Sequence, residues 1–167
     1  MEFSPSGNLP GGIHEPESWA EFVLCFGTNP TRRRQIEGLK DALRLLKAAG
    51  CQVVYVNGSF TTAKELPGDF DACWDTAGVD FDRLDDIFFK LRSPRTKMKA
   101  RFGGELFPAN AGAGNGEDFL EFFQHDRNGI PKGIVRLDLR RLNGSDLEPA
   151  PVPDHKILGA ALRENTS

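Results

Sequence analysis

The residues best suited to chemistry lie between positions 58 and 71. Gly58-Ser59 is followed by nine residues and then by Asp69-Phe70-Asp71. In an extended segment, residues i and i+2 face the same way, with Cα atoms roughly 6.5–7 Å apart. Asp69 and Asp71 therefore project together, and Phe70 turns into the core. Carboxylates this close repel unless a cation lies between them, and hard oxygen ligands suit Mg²⁺ or Mn²⁺. On the other side of the spacer, Gly58 lets the backbone approach a phosphate closely. Backbone N–H groups and the Ser59 hydroxyl can then bind its oxygens. A metal side and a phosphate side on consecutive strands form the arrangement used for in-line phosphoryl displacement.

Two residues compete for the place of a third carboxylate. Glu105 lies in the short apolar stretch Gly104-Glu105-Leu106-Phe107, and Asp138 in Arg136-Leu137-Asp138-Leu139. Alternation sets Asp138 opposite Val135, Leu137 and Leu139. Lys132, in a turn ahead of that strand, is a candidate phosphate contact. Arg92, Arg95, Lys97, Lys99 and Arg101 form a basic run that can serve triphosphate or RNA or simply be a solvated helix face. Arg32-Arg33-Arg34 opens a helix, where the macrodipole disfavours cations. That placement suits an anionic partner, although a plain charged face is the simpler expectation. His14 and His125 have no metal-ligand spacing. Phe60 and Trp74 are read as core or cleft walls.

Positioning elements follow from periodicity. Trp19, Phe22, Val23 and Phe26 predict a short helix from about 18 to 26. Asn29-Pro30 caps a longer one, with Ile36, Leu39, Leu43 and Leu46 on one face and Gly50 as its stop. Strands are expected over 51–56, 69–74, 104–107 and 134–139. Helices are expected over 82–91, from Ser93-Pro94 to about Arg101, and around Phe119 to Phe123, where a strand is the alternative. Residues 4–12 should be an irregular arm and 110–116 a flexible loop. One domain is expected over 1–145. The Pro-rich tail over 146–167 should end in a short helix at 156–163. The fold class is α/β (α+β), a small mixed twisted sheet with helices mainly on one face.

With 167 residues there is room for one core. A net charge of −3 argues against a protein that coats nucleic acid non-specifically. The three cysteines are widely spaced and form no C-x-x-C pair, so they read as buried free thiols in a reducing compartment. No apolar run spans a membrane and no signal peptide is visible, which predicts a cytoplasmic protein with no membrane partner.

Gly58-Ser59, the spacer and Asp69-Phe70-Asp71 resemble the signature of the polymerase-β-like nucleotidyltransferase superfamily. The resemblance covers about residues 30 to 108. It implies catalytic and metal-binding roles for Asp69, Asp71 and Glu105 (or Asp138), phosphate binding at Gly58 and Ser59, and Mg²⁺ or Mn²⁺ as cofactor. The implied reaction moves a nucleoside monophosphate from a nucleoside triphosphate to a hydroxyl of a protein or RNA acceptor. Glu105 departs from the usual aspartate at the third position.

The whole chain also resembles a bacterial family of uncharacterised, nucleotidyltransferase-like domains. The residues concerned are Gly7 to His14, Gly58 to Thr62 and Pro67 to Asp75. Domains of this superfamily often lose a carboxylate and persist as binding modules. The alternative function is therefore an inactive module, a toxin–antitoxin or defence component that docks the product of an adjacent gene.

Overall fold

The computed structural model describes residues 1–89 and 95–151. Its elements are β1 (Gly12–His14), α1 (Trp19–Phe26), α2 (Pro30–Ala48), β2 (Val53–Asn57), β3 (Phe70–Trp74), α3 (Arg95–Phe102), β4 (Gly104–Pro108), α4 (Phe119–Phe122) and β5 (Gly133–Asp138). The five strands form one mixed sheet in the order β1-β5-β2-β3-β4. β2 runs antiparallel to both β3 and β5, while β3–β4 and β1–β5 are parallel pairs.

Local chemistry sets the helix starts. The Ser18 hydroxyl accepts from the Glu21 N–H at 3.1 Å, and the Asn29 side chain accepts from the Arg32 N–H at 2.9 Å, with Pro30 in the first turn. The apolar stripe of α2 (Ile36, Leu39, Leu43, Leu46) is fully buried. It joins Phe22 and Phe26 of α1 and Met98 and Phe102 of α3 over one face of the sheet, where Phe70, Ala72, Trp74, Val54, Val56, Val135 and Leu137 point. Gly38 permits the close crossing of α2 and α3, since a Cβ there would lie 1.8 Å from the Phe102 carbonyl oxygen. The opposite face carries a smaller cluster of Cys73, Phe107, Phe123 and Ile134 beneath α4. The expected α/β class, a small mixed sheet with helices mainly on one face, is what the chain adopts.

Three elements differ from the expectations. The segment expected to be a helix over 82–91 is turns with a short 3-10 helix at Asp86–Phe88, and its last two residues lie outside the described ones. Its aspartates explain this. The Asp80 carboxylate accepts from the Asp82 N–H and that of Asp85 from the Ile87 N–H, each at 3.0 Å. These local bonds compete with the helical ladder. Leu84 and Phe88 are nonetheless buried. The N-terminal arm is less irregular than expected, because Leu9 enters the core and Gly12–His14 adds an edge strand beside β5. Leu139 leaves the last strand for a 3-10 turn. Ser93, Pro94 and the helix expected at 156–163 lie outside the described residues.

Candidate functional site at the end of the central strands

β2 ends at Asn57, and Gly58 follows with φ +84°. A Cβ at Gly58 would lie 2.9 Å from the Asp71 nitrogen and 3.0 Å from Asp71 Oδ2. The absence of a side chain lets the Asp71 carboxylate rest against the Gly58 backbone. Ser59 opens a 3-10 turn, and its hydroxyl points to the Asp69 carbonyl oxygen at 3.4 Å, joining the two halves of the motif.

The connector between them is tied down by α2. Buried Arg32 donates to the carbonyl oxygens of Phe26, Phe60, Thr62 and Lys64 at 2.5–3.2 Å. Gln35 donates to the Pro67 carbonyl at 2.6 Å and Asn29 to that of Glu65 at 2.7 Å. Arg32 is thus an internal clamp. Its burial pulls its pKa below the ordinary arginine value. The neighbouring Arg34 projects from the same turn to an outer groove.

Sheet register brings the acids together. Asn57 pairs with Asp71, and Asp71 pairs with Glu105. Cross-strand partners share a face, so Asn57, Asp71 and Glu105 form a row, and Asp69 precedes Asp71 by two residues. Burial first, and then the charges of Asp69 and Glu105, push the Asp71 carboxyl up to about 6, partly offset by Lys132 and Lys99. Lys99, on the last turn of α3, places Nζ 3.3 Å from Asp69 Oδ2 and 3.2 Å from Glu105 Oε1. The two carboxylates raise its pKa. Lys132 is half-buried and shifted downward by desolvation, against the opposing pull of Asp71 and Asp126.

A cleft of about 770 Å³ opens beside this row, and Asn57, Gly58, Ser59, Asp71 and Lys132 line it. Its far wall includes Phe122 and His125. Asn57 is only 3% exposed, yet its Oδ1 has no hydrogen-bond partner, an uncompensated acceptor next to the acids.

Asp138 lies elsewhere. It pairs with Val53, at the opposite end of β2 from Asn57. Arg140 holds both its carboxylate oxygens at 2.9 Å and lowers its pKa. A separate cavity of about 250 Å³ adjoins it. The structure therefore brings Gly58, Ser59, Asp69, Asp71, Glu105 and Lys132 to one end of the sheet and leaves Asp138 at the other. Among the described residues no three His, Cys, Asp or Glu side chains already stand as a cage for a metal ion. Lys99 spans two of the acids instead.

Other candidates have ordinary surroundings. His14 Nε2 lies 2.6 Å from the Pro10 carbonyl oxygen, a loop hydrogen bond. Arg101 pairs with Asp41 and Asp85. Phe60 and Trp74 are core residues. Arg92 and the Arg95 side chain lie outside the described ones. The sequence reading did not single out Asn57 or the inward role of Arg32. Asn57 carries a usable signal, a polar residue at the last inward position of an otherwise apolar strand. Arg32 does not, because three consecutive arginines look alike until a neighbouring loop covers one of them.

No curated protein and no solved structure matches the chain. A match to one protein family extends over residues 1–138. The chain belongs to DUF6932, a family of unknown function.

Proposed function

We propose that this protein is a metal-dependent nucleotidyltransferase of the polymerase-β-like type, acting on a protein or RNA hydroxyl. One observation carries the reading. The Asp71 carboxylate lies against the Gly58 backbone, two residues from Asp69 and in register with Glu105, at the mouth of a cleft large enough for a nucleotide. Structural acids are normally paired with cations. Here Lys99 lies within ion-pair distance of Asp69 and Glu105, while Asp71, among the like charges of both, is held up to about 6. Such crowding is typical of functional sites.

The donor set fits Mg²⁺ or Mn²⁺, being all carboxylate oxygen with the unpartnered Asn57 Oδ1 close by. Asp69, Asp71 and Glu105 would hold the ion, which neutralises phosphate charge and the charge that develops on the leaving group. Gly58 N–H and the Ser59 hydroxyl bind the β- and γ-phosphates, and Lys132 adds a positive charge at the cleft wall. Glu105 takes the proton of the acceptor hydroxyl. The acceptor oxygen then bonds to the α-phosphorus, the α–β bridging P–O bond breaks, and pyrophosphate leaves. Fixing these groups on strand ends supplies positioning and preorganised charge.

A second reading, a non-catalytic docking module for the product of an adjacent gene, is favoured by Lys99, which already neutralises two of the acids from within. Incubation with α-labelled triphosphates, Mg²⁺ or Mn²⁺, and the protein's own cell extract separates the two. Transfer of label to a specific protein or RNA, lost in Asp69→Asn, supports the enzyme. A silent parent protein, with all four ribonucleotides and any adjacent-gene product present, leaves the docking module. Within the enzyme reading, Glu105→Gln reduces transfer on the order of a hundredfold.

A further inference from the structure

We propose that Lys99 is the resident counter-ion of the carboxylate row, and that a divalent cation enters only by displacing its ammonium. This rests on reading the carboxylates as a cation site, and not on the transfer chemistry. Nζ stands between Asp69 Oδ2 and Glu105 Oε1, at 3.3 and 3.2 Å. These oxygens belong to different elements: Asp69 precedes β3, and Glu105 is on the edge strand β4. One ammonium therefore gathers two ligands that would otherwise repel each other.

The two sides of the contact are built differently. The Glu105 side chain is 11% exposed and its strand is paired with β3, so it is fixed in place. Lys99 is half-exposed on the last turn of a short helix, with its methylene stem and a route to solvent available. The lysine is the part able to leave. Asp71, two residues from Asp69 and in register with Glu105, lies outside ion-pair distance of Lys99. A monovalent ammonium thus satisfies part of the row, whereas a small divalent ion would engage all three carboxylates. Asn57 Oδ1, buried and unpartnered in the next register position, adds an acceptor that the lysine does not use.

Competition of this kind appears in metal affinity without any nucleotide or turnover. Mn²⁺ binding to the full chain is read by the loss of the free-ion electron paramagnetic resonance signal, for the parent, Lys99→Gln and Lys99→Arg. Removing a positive charge this close raises Mn²⁺ affinity about tenfold or more in Lys99→Gln, and Lys99→Arg stays near the parent. Adding Asp69→Asn to Lys99→Gln abolishes the gain, because the ion uses the oxygens that Lys99 vacated. Thermal melting of each variant checks that the half-exposed substitution leaves the fold intact. Unchanged or weaker Mn²⁺ binding by folded Lys99→Gln overturns the proposal. So does a gain that survives Asp69→Asn. Tighter binding in Lys99→Gln alongside a parent protein that transfers no label supports the counter-ion role, while the transferase reading falls.

Discussion

Two carboxylates on one face of the same sheet live in opposite electrostatic worlds. Asp138, on β5, is gripped through both oxygens by Arg140 and held below the usual carboxylate range. Asp71, on β3, is partly buried among other acids and pushed up to about 6. Both descend from short motifs of alternating apolar and acidic residues. The difference is in what the fold places next to them. At the Asp138 end the chain supplies its own arginines, and the charge is satisfied. At the Asp71 end it supplies like charges, a glycine that removes a side chain, and two lysines, Lys99 and Lys132, that offset the shift of Asp71 only in part. Charge left partly uncompensated inside a cleft costs stability, and such costs persist where an external partner offsets them.

The largest test of this contrast is transfer itself. Asp71→Asn should lower label transfer about a thousandfold or more, several kcal/mol of transition-state stabilisation. Asp138→Asn should stay within about threefold of the parent. Equal losses in the same extract assay would erase the distinction between the two ends.

The connector offers the next contrast, because only the Asp71 end depends on it. Arg32→Met strands four carbonyl oxygens that one guanidinium now serves. Urea unfolding should show a loss of about 3–4 kcal/mol. A loss below about 1 kcal/mol would mean that the connector holds its course without the clamp.

A third test uses pH. The Asp71 pKa is raised from 3.8 to about 6 on folding, so the folded state binds this proton more tightly than the unfolded chain. Stability falls as pH rises between these two values and stays reduced above them. Asp71→Asn should therefore stabilise the metal-free protein by about 2–3 kcal/mol at neutral pH, with the gain vanishing below about pH 4. Thermal melting across this range checks both the sign and the window. The same substitution would thus stabilise the fold and abolish transfer.

The smallest effect is at the other end. The Asp138 pKa is lowered on folding, so its contribution is present above the unfolded value and disappears as pH falls. Because Arg140 is exposed, Asp138→Asn should cost only about 0.5–1 kcal/mol at neutral pH, readable by urea unfolding and reduced in high salt.

Much of this arrangement was legible in the sequence, because the signals are local. The period of α2, its Asn29-Pro30 start, the β-branched run into Asn57-Gly58 and the alternation of Asp69-Phe70-Asp71 each act within a few residues, where backbone geometry fixes which side chains share a face. Segments with competing local bonds misled it, as the aspartates at 80 and 85 did by capping turns within an apolar pattern that resembles a helix. What the tertiary structure alone decided is register and proximity. Whether Glu105 or Asp138 lies beside Asp71 depends on which strand pairs with β3, and β4 takes that place, while β5 pairs with the far side of β2. That Lys99 bridges two acids, and that Arg32 turns inward while Arg34 faces an outer groove, depend on a helix end and a connector meeting across the fold. Periodicity specifies the face a residue occupies on its own element, whereas long-range pairing specifies what that face meets.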